Sequence, residues 1–355
     1  MAAILQLAAG LGLLLIGGEA LVRGASGLAR RLGVSSLLIG LTVVAFGTSA
    51  PELAVSVRSA VQGTPGLALG NAVGSNIFNS LLILGVAAAV RPLRVAHSLV
   101  RLEAPLVIAA SCLAWLFVAD SRLSGAEGAL LLLGMLAYVA WCVRVGGRQQ
   151  ARADRSDSGE PPTTATLPRR SMHLAAIGVG LLLLVLGSHW VVDGAVRIAD
   201  DLGASPLVVG LTIVAMGTSL PELATSLVAT RRGEQDIAVG NVMGSNLFNV
   251  LAILGSSAVL APGGLQVPAA ASAVDVPMMV ATSVLCLVVL ASGWRISRRE
   301  GALFVFVYVV YATYVAVRVP YSDPEPVDRW IVLAVGALAA CLFFLALGRR
   351  RRANG

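Results

Sequence analysis

The chain repeats part of itself at a constant offset of 170 residues. Residues 33–57 read GVSSLLIGLTVVAFGTSAPELAVSV, residues 203–227 read GASPLVVGLTIVAMGTSLPELATSL, and 16 of the 25 positions are identical without a gap. The same offset aligns GNAVGSNIFNSLLILG at 70–85 with GNVMGSNLFNVLAILG at 240–255. A repeat of this length indicates a duplicated architecture, so the fold must give both copies equivalent surroundings.

Both copies lie in long apolar runs. The chain is 57% hydrophobic and 13% charged, whereas a soluble domain carries about 25% charged residues. Apolar runs of about 18 residues or more can cross a bilayer as helices. The sequence therefore predicts a membrane protein with eleven spans, at 2–22, 34–61, 66–90, 99–119, 125–145, 171–195, 204–230, 236–260, 272–293, 301–319 and 329–348.

The number of spans in each copy determines how the copies are oriented. A polar segment rich in Pro, Ser and Thr, at 146–170, separates the first five spans from the next five and is predicted to be a cytoplasmic linker. Because five is odd, the second copy must be inverted, which is typical of transporters with a binding site near the midplane. We predict an all-α polytopic membrane protein: two inverted five-helix repeats (ten core transmembrane helices), residues 1–145 and 171–319, plus an extra C-terminal helix at 329–348.

Arginine supplies all 26 basic residues, and nearly all of them flank the apolar runs. They form no basic face, so the net charge of +7 does not indicate nucleic-acid binding. With the predicted spans, 21 arginines fall on one side of the membrane and five on the other. The positive-inside bias places the richer side in the cytoplasm. We therefore expect a multi-pass protein of the cytoplasmic (inner) membrane, with its N-terminus outside and its C-terminus in the cytoplasm.

Each copy places one acidic residue inside an apolar span, in the sequence Gly-Thr-Ser-x-Pro-Glu. These residues are Glu52 and Glu222, and no basic residue lies within reach in either span. A charged side chain at membrane depth costs at least ~2.5–3.5 kcal/mol, so it needs a compensating charge. A bound cation is the simplest such partner. A protonated acid that only bridges helices is the alternative, and the duplicated motif argues against it.

Other residues of the two motifs can supply further oxygen ligands. Pro51 and Pro221 loosen the preceding turn and free backbone carbonyls, which at membrane depth need an ion or water to satisfy them. Side chains four residues apart share a helix face. This spacing relates Thr48 to Glu52, Thr218 to Glu222, Ser75 to Asn79 and Ser245 to Asn249. Oxygen ligands suit hard cations such as Ca²⁺, although a single Ser or Thr in a membrane helix can equally serve packing.

With these motifs the chain resembles the cation/calcium exchanger superfamily, in its prokaryotic sodium/calcium exchanger-like branch. The resemblance covers roughly residues 1–319 and implies ten helices in two inverted halves, whose clustered sites alternately take sodium ions or one calcium. Some archaeal members carry Asp where this chain has Asn249, so two carboxylates are expected here. The resemblance implies a site with Glu52 and Glu222 at its centre, surrounded by Thr48, Ser49, Thr218, Ser219, Ser75, Asn79, Ser245, Asn249 and the carbonyls of Ala45 and Ala215.

We therefore expect a Na⁺/Ca²⁺ antiporter that works by alternating access, with both ions as transported substrates, no cofactor and no enzymatic activity. The alternative on the same scaffold is exchange of H⁺ for Ca²⁺ or another divalent cation. Two hypotheses from other classes are an intramembrane acid protease that uses both carboxylates and an ion sensor that does not transport. The expected partners are the cations and the lipid bilayer, and the sequence does not identify protein partners.

Overall fold

The computed structural model describes residues 2–156, 170–201, 215–318, 330 and 332–338, and these are almost entirely helical. The helices are α1 (Ala2–Leu32), α2 (Ser36–Thr48), α3 (Ala50–Val61), α4 (Pro65–Val90), α5 (Leu99–Phe117), α6 (Gly125–Ser156), α7 (Arg170–Asp201), α8 (Ala215–Gly217), α9 (Leu220–Arg232), α10 (Gln235–Leu260), α11 (Ala271–Gly293) and α12 (Arg298–Arg318). Four two-residue strands connect them: β1 (Leu93–Arg94), β2 (Arg122–Leu123), β3 (Leu265–Gln266) and β4 (Arg295–Ile296).

Several of these helices are long and apolar enough to cross a membrane. Among the described residues there are seven, namely α1, α4, α5, α6, α7, α10 and α11. The pair α2 and α3 forms an eighth candidate that is bent by 46° at its break. The protein is therefore a multi-pass helical membrane protein. The seventh and eleventh predicted spans include residues outside the described part, so the count of ten core helices plus one stays a prediction.

The helices form a buried centre and a lipid-facing exterior. The apolar window of α10 is 100% buried and those of α4 and α11 are 72% buried, whereas those of α1, α6 and α7 are 22–28% buried. Large apolar side chains such as Leu5 on α1 and Leu136 on α6 are exposed. Such surfaces fit a hydrocarbon environment, and polar residues of α4 and α10 are thereby confined to the protein interior.

Helices α1 and α7 pack closely along glycines spaced seven residues apart. A Cβ at Gly17 would lie 2.8 Å from the carbonyl oxygen of Gly180, and one at Gly10 would lie 2.9 Å from that of Gly187. Only glycine permits this backbone contact. Because rising numbers on α1 meet falling numbers on α7, the two helices are antiparallel. They occupy equivalent places in the two copies, which is the relation that inversion predicts.

The short strands relate a second pair of equivalent helices. Strand β1, before α5, pairs with β4, after α11, and β2, after α5, pairs with β3, before α11. Each end of α5 therefore lies beside the opposite end of α11, and the two helices run antiparallel. The same geometry holds for α1 and α7, so two pairs of equivalent helices follow the expected relation.

The predicted linker at 146–170 is longer than the segment that separates the helices. Helix α6 continues to Ser156, and α7 begins at Arg170. Residues 146–156 contain Gln, Ala and Arg, which are good helix formers. The helix therefore extends beyond the apolar run that predicted its end at 145. For the same reason α1 continues through Arg30 and Arg31, past the predicted end at 22.

Candidate cation-binding site

Each Gly-Thr-Ser-x-Pro-Glu motif forms a helix, a one- or two-residue break and a second helix. Helix α2 ends at Thr48 and α3 begins at Ala50, with Ser49 at the break, and Ser219 holds the equivalent place before α9. Pro51 and Pro221 lie in the first turn of α3 and α9, where a missing N–H costs no helical hydrogen bond. The sequence predicts a loosened turn before these prolines, and in both copies the helix is broken there.

The breaks bring the two acids into one buried site. Glu52 and Glu222 are each 1% exposed and lie in the first turn of α3 and α9. The hydroxyl of Ser49 donates to Oε1 of Glu222 at 2.9 Å, and the hydroxyl of Ser219 donates to Oε1 of Glu52 at 3.0 Å. Each acid is therefore held by the serine of the other copy, and two motifs 170 residues apart form a single site.

The central helices α4 and α10 supply the next hydroxyls. Ser245 Oγ lies 2.9 Å from Ser49 Oγ, and Ser75 Oγ lies 3.0 Å from Ser219 Oγ. The carbonyl of Ala45 accepts from the backbone N–H of Ser49 at 3.0 Å and lies 3.5 Å from Ser245 Oγ. The contacts of Ser245 and Ser75 again cross between copies, so the hydroxyl network follows the repeat symmetry.

An asparagine that the sequence interpretation left out organises each half of the site. Asn71 donates from Nδ2 to the backbone carbonyl of Glu52 at 3.1 Å and to the hydroxyl of Ser56 at 2.8 Å. Its Oδ1 accepts from the hydroxyl of Thr218 at 3.1 Å. Asn71 therefore fixes the backbone of one acid and the threonine of the other copy at the same time.

Its repeat mate, Asn241, makes the same set of contacts. Asn241 donates to the carbonyl of Glu222 at 3.4 Å and to the hydroxyl of Ser226 at 3.1 Å, and its Oδ1 lies 3.1 Å from the hydroxyl of Thr48. The signal for this pair was available, because both asparagines are identical in the gapless second block of the repeat. Nothing in that pattern, however, indicates which groups they contact.

Further asparagines join α4 to α10 just beyond the acids. Asn76 donates to the carbonyl of Asn246 at 3.1 Å and accepts from Nδ2 of Asn249 at 3.0 Å, and Asn246 donates to the hydroxyl of Ser80 at 2.8 Å. The segments Phe78–Ile83 and Asn249–Leu254 are π-helical, a geometry that occurs often at functional sites. The predicted ligands Asn79 and Asn249 lie in these two segments.

Four of the predicted ligand oxygens are buried and accept no hydrogen bond from any described residue. They are Oε2 of Glu52, Oε2 of Glu222, Oδ1 of Asn79 and Oδ1 of Asn249, two symmetric pairs. A buried acceptor without a donor costs about 1–3 kcal/mol, and more when it is charged. The ion pairs Glu19–Arg23, Glu19–Arg232 and Arg30–Glu234 do not involve these acids. The donor set therefore fits a cation bound between the copies.

The structure gives more geometry for some of the remaining predicted ligands than for others. Thr218 is partly buried beside Asn71, and Thr48 is buried beside Asn241. Ala215 is the first residue of the short helix α8, directly after undescribed residues. The structure therefore gives a detailed geometry for Ala45 and not for its repeat mate Ala215.

All the candidate ligand atoms of the site are oxygens. It combines two carboxylates, serine and threonine hydroxyls, and asparagine amide oxygens. The described residues contain no group of three or more His, Cys, Asp or Glu that could hold a metal ion. Neutral oxygens with few carboxylates suit Ca²⁺ and Na⁺ rather than transition metals.

These observations define a class: a multi-pass helical membrane protein whose two homologous halves enclose a buried, acidic oxygen site. Within that class, the chain belongs to the family described as "Sodium/calcium exchanger protein", whose profile matches residues 2–144 and 172–317. The resemblance inferred from the two motifs is thereby confirmed. Membership, together with the structural likeness below, supports cation/Ca²⁺ exchange as the activity.

Relatives of known sequence extend along most of the chain. The putative antiporter CaxA of Alkalimonas amylolytica is 44% identical over 309 residues, covering 85% of this chain and 95% of that protein. The inner membrane protein YrbG of Escherichia coli (strain K12) is 39% identical, covering 82% and 89%. The sodium/calcium exchanger MaX1 of Methanosarcina acetivorans is 32% identical, covering 85% and 95%.

Solved structures of the sodium-calcium exchanger NCX_Mj are similar in fold. One of them, soaked with 2.5 mM Na⁺ and 0.1 mM Ca²⁺, matches with a TM-score of 0.75 and 30% identity. The match covers 88% of this chain and 98% of that one. The helical membrane fold of this chain is therefore that of a solved exchanger.

Proposed function

We propose that this protein is a secondary antiporter that exchanges Na⁺ for Ca²⁺ at the Glu52–Glu222 site by alternating access. The observation that carries the proposal is the crossed contact between copies: Ser49 binds Glu222 and Ser219 binds Glu52, both acids being 1% exposed. One ion bound there contacts both halves, so its arrival and departure can couple to movement of one half against the other.

The charge of the site bears on what it exchanges. Two carboxylates give a charge of −2 when both are ionised, which one Ca²⁺ or two Na⁺ neutralise. The other proposed ligands, including Asn79 and Asn249, are neutral and add coordination without adding charge. Ca²⁺ and Na⁺ therefore compete for the same oxygens, and this competition is what exchange requires.

The proposed topology supports alternating access. It comprises ten core helices in two inverted repeats, 1–145 and 171–319, an additional C-terminal helix at 329–348, an external N-terminus and a cytoplasmic C-terminus. The antiparallel relation of α1 to α7 and of α5 to α11 supports the inversion of one half relative to the other. With inverted halves, the same movement opens the site to one side or to the other.

Exchange of H⁺ for Ca²⁺ or another divalent cation is the second candidate. The same buried carboxylates favour it, because a carboxylate can release a cation by taking up a proton. The two candidates differ only in the coupling ion, and a site made of oxygen ligands is compatible with either ion.

Uptake of radiolabelled Ca²⁺ into proteoliposomes tests both candidates. We expect uptake into Na⁺-loaded vesicles in Na⁺-free medium, with internal and external pH equal. The matched arm replaces the Na⁺ gradient with a pH gradient at constant Na⁺. The variants Glu52→Gln and Glu222→Gln are the controls for specific transport. Uptake that follows the pH gradient and ignores Na⁺ would replace the first candidate with the second, and no uptake in either arm would contradict antiport.

A further inference from the structure

A serine of α7 contacts the helix break of the second copy. The hydroxyl of Ser188, which is 8% exposed, donates to the backbone carbonyl of Gly217, the last residue of α8. Gly217 is itself buried. Its carbonyl lacks the usual helical donor, because the residue four positions later is Pro221, which has no N–H. A buried carbonyl without a donor is unfavourable, so Ser188 supplies from another helix the hydrogen bond that the proline removes.

Helix α7 packs closely against the break at this point. A Cβ at Gly217 would lie 2.2 Å from Cγ2 of Val192. Ser188 and Val192 are four residues apart, so they share a face of α7. Because glycine has no side chain, α7 comes near enough for a short serine side chain to reach the backbone. Both contacts fall on Gly217, so a movement of α7 changes the surroundings of this one residue directly.

The residues that follow Gly217 belong to the oxygen site. Thr218 donates to Oδ1 of Asn71, and Ser219 donates to Oε1 of Glu52. Only Thr218 stands between the residue that Ser188 binds and the serine that holds Glu52. A chain that is fixed at Gly217 therefore has little freedom to move at Ser219.

The first copy has a glycine where the second copy has Ser188. This residue is Gly18 of α1, 170 positions earlier, and it has no hydroxyl to donate. It lies against α9: a Cβ there would be 3.2 Å from Cγ2 of Val228 and 3.4 Å from the carbonyl oxygen of Ala224. Helices α1 and α7 are equivalent in the repeat, but a hydrogen bond from this position is possible only in the second copy.

We propose that Ser188 is a positioning residue that couples α7 to the ion ligands of the second copy. Its hydroxyl fixes the carbonyl of Gly217 and, through the short intervening chain, the position of Ser219 beside Glu52. An arrangement of α7 that keeps this bond also keeps Ser219 in place, so ion binding and the position of α7 favour each other. The inference rests on the proposed function, because it gives Ser188 a part in binding the same ions.

Isothermal titration of the purified full chain with Ca²⁺ tests this role. Ser188→Ala should lower Ca²⁺ affinity by about two- to tenfold, the range expected for a neutral hydrogen bond. Ser188→Cys keeps a weak donor and should give a smaller loss. Ser26→Ala is the matched control on α1 and should leave the affinity unchanged. Ser26 is 4% exposed, and its hydroxyl has no hydrogen-bond partner among the residues that the structure describes.

A double-mutant comparison separates positioning from a general loss of stability. Because Ser188 acts through Ser219, the double variant Ser188→Ala, Ser219→Ala should bind Ca²⁺ little more weakly than Ser219→Ala alone. In the double variant Ser188→Ala, Ser49→Ala the two separate losses should multiply, because Ser49 holds Glu222 from the break of the other copy. A general loss of stability would act equally in both backgrounds.

The outcomes distinguish this inference from the proposed function. Unchanged affinity in Ser188→Ala, or equal effects of that change in the Ser219→Ala and Ser49→Ala backgrounds, would overturn the role of Ser188 while native Ca²⁺ binding still supports the function. Absence of Ca²⁺ binding by both the native chain and Ser26→Ala would overturn both. If Ser188→Ala does not fold, Ser188→Cys takes its place in the same comparison and must show the same difference between the two backgrounds.

Discussion

The two copies of the repeat agree at the oxygen site and differ at their ends. At the site, Ser49 and Ser219, and Asn71 and Asn241, make matching contacts with the opposite or the same copy. At the ends, Glu19 and Arg23 of the first copy correspond to His189 and Asp193 of the second. The comparison separates what is duplicated, the hydrogen-bonded oxygen groups of the site, from what has diverged, the charged residues near the helix ends.

Some of the charged residues that have diverged form ion pairs between α1 of the first copy and the segment around the end of α9. Glu19 of α1 pairs with Arg23 at 2.7 Å and with Arg232 at the end of α9. Arg30 lies 3.7 Å from Glu234. All three of these ion pairs involve α1 of the first copy. At the positions of Arg232 and Glu234 the first copy has the uncharged Gln62 and Thr64.

The strongest test of equivalence removes one acid at a time. We expect Glu52→Gln and Glu222→Gln each to lower Ca²⁺ affinity by about 100-fold or more. Each change removes one carboxylate and leaves one of the two positive charges of the bound Ca²⁺ uncompensated in a buried site. Because the copies share one site, the two losses should be equal. Isothermal titration with Ca²⁺ measures them. A variant that keeps half of the binding capacity at native affinity would indicate two independent sites.

The serines that cross between copies should give the next largest effect. Ser49→Ala and Ser219→Ala each remove a hydrogen bond to a carboxylate, worth about 1.5–3 kcal/mol, so Ca²⁺ affinity should fall roughly tenfold or more. Ser→Cys, which keeps a weak donor, is the milder control at each position. If alanine at one position were silent and at the other severe, the symmetric description of the site would be wrong.

How much of this site the sequence predicts depends on how far apart along the chain the contacting residues lie. The helix breaks follow from local chemistry, because Pro51 and Pro221 act on their own turns. The burial of Glu52 and Glu222 follows from their place in apolar runs. The pairing of Ser49 with Glu222 rather than with Glu52 does not follow, since it arises where the two copies pack together.

The fold shows the same division between local and distant signals. Apolar runs predicted the helices whose residues the structure describes, but not that α6 continues as a helix to Ser156 through polar residues. The role of Asn71 was missed for a related reason. Its identity in both copies marks it as important, while its contacts with Ser56 and Thr218 depend on how α4 packs beside α3 and α8.

Replacing the organising asparagines should have a smaller effect than replacing the serines. Asn71→Ala and Asn241→Ala each remove neutral hydrogen bonds of about 0.5–1.5 kcal/mol to groups that do not all bind the ion. We expect a two- to tenfold lower Ca²⁺ affinity and a lower melting temperature for both variants. Asn→Asp at the same positions keeps the size and the acceptor. A loss as large as that of Glu52→Gln would mean that Asn71 itself binds the ion.

The smallest effect should come from the ends, where the copies differ. The Glu19–Arg232 pair is about one-third exposed on both sides, so its contribution is at most about 1 kcal/mol, or fivefold in an equilibrium. Because the pair ties α1 to the end of α9, Glu19→Gln should change the ratio of the Ca²⁺ affinities measured from the two membrane sides by up to that factor. Arg232→Gln, which removes the partner on α9, should change the ratio by a similar factor, and the double variant Glu19→Gln, Arg232→Gln should add little to either single change. His189→Gln, at the equivalent position of α7, should leave it unchanged, and an equal shift from both positions would show that the asymmetry of charge has no functional weight.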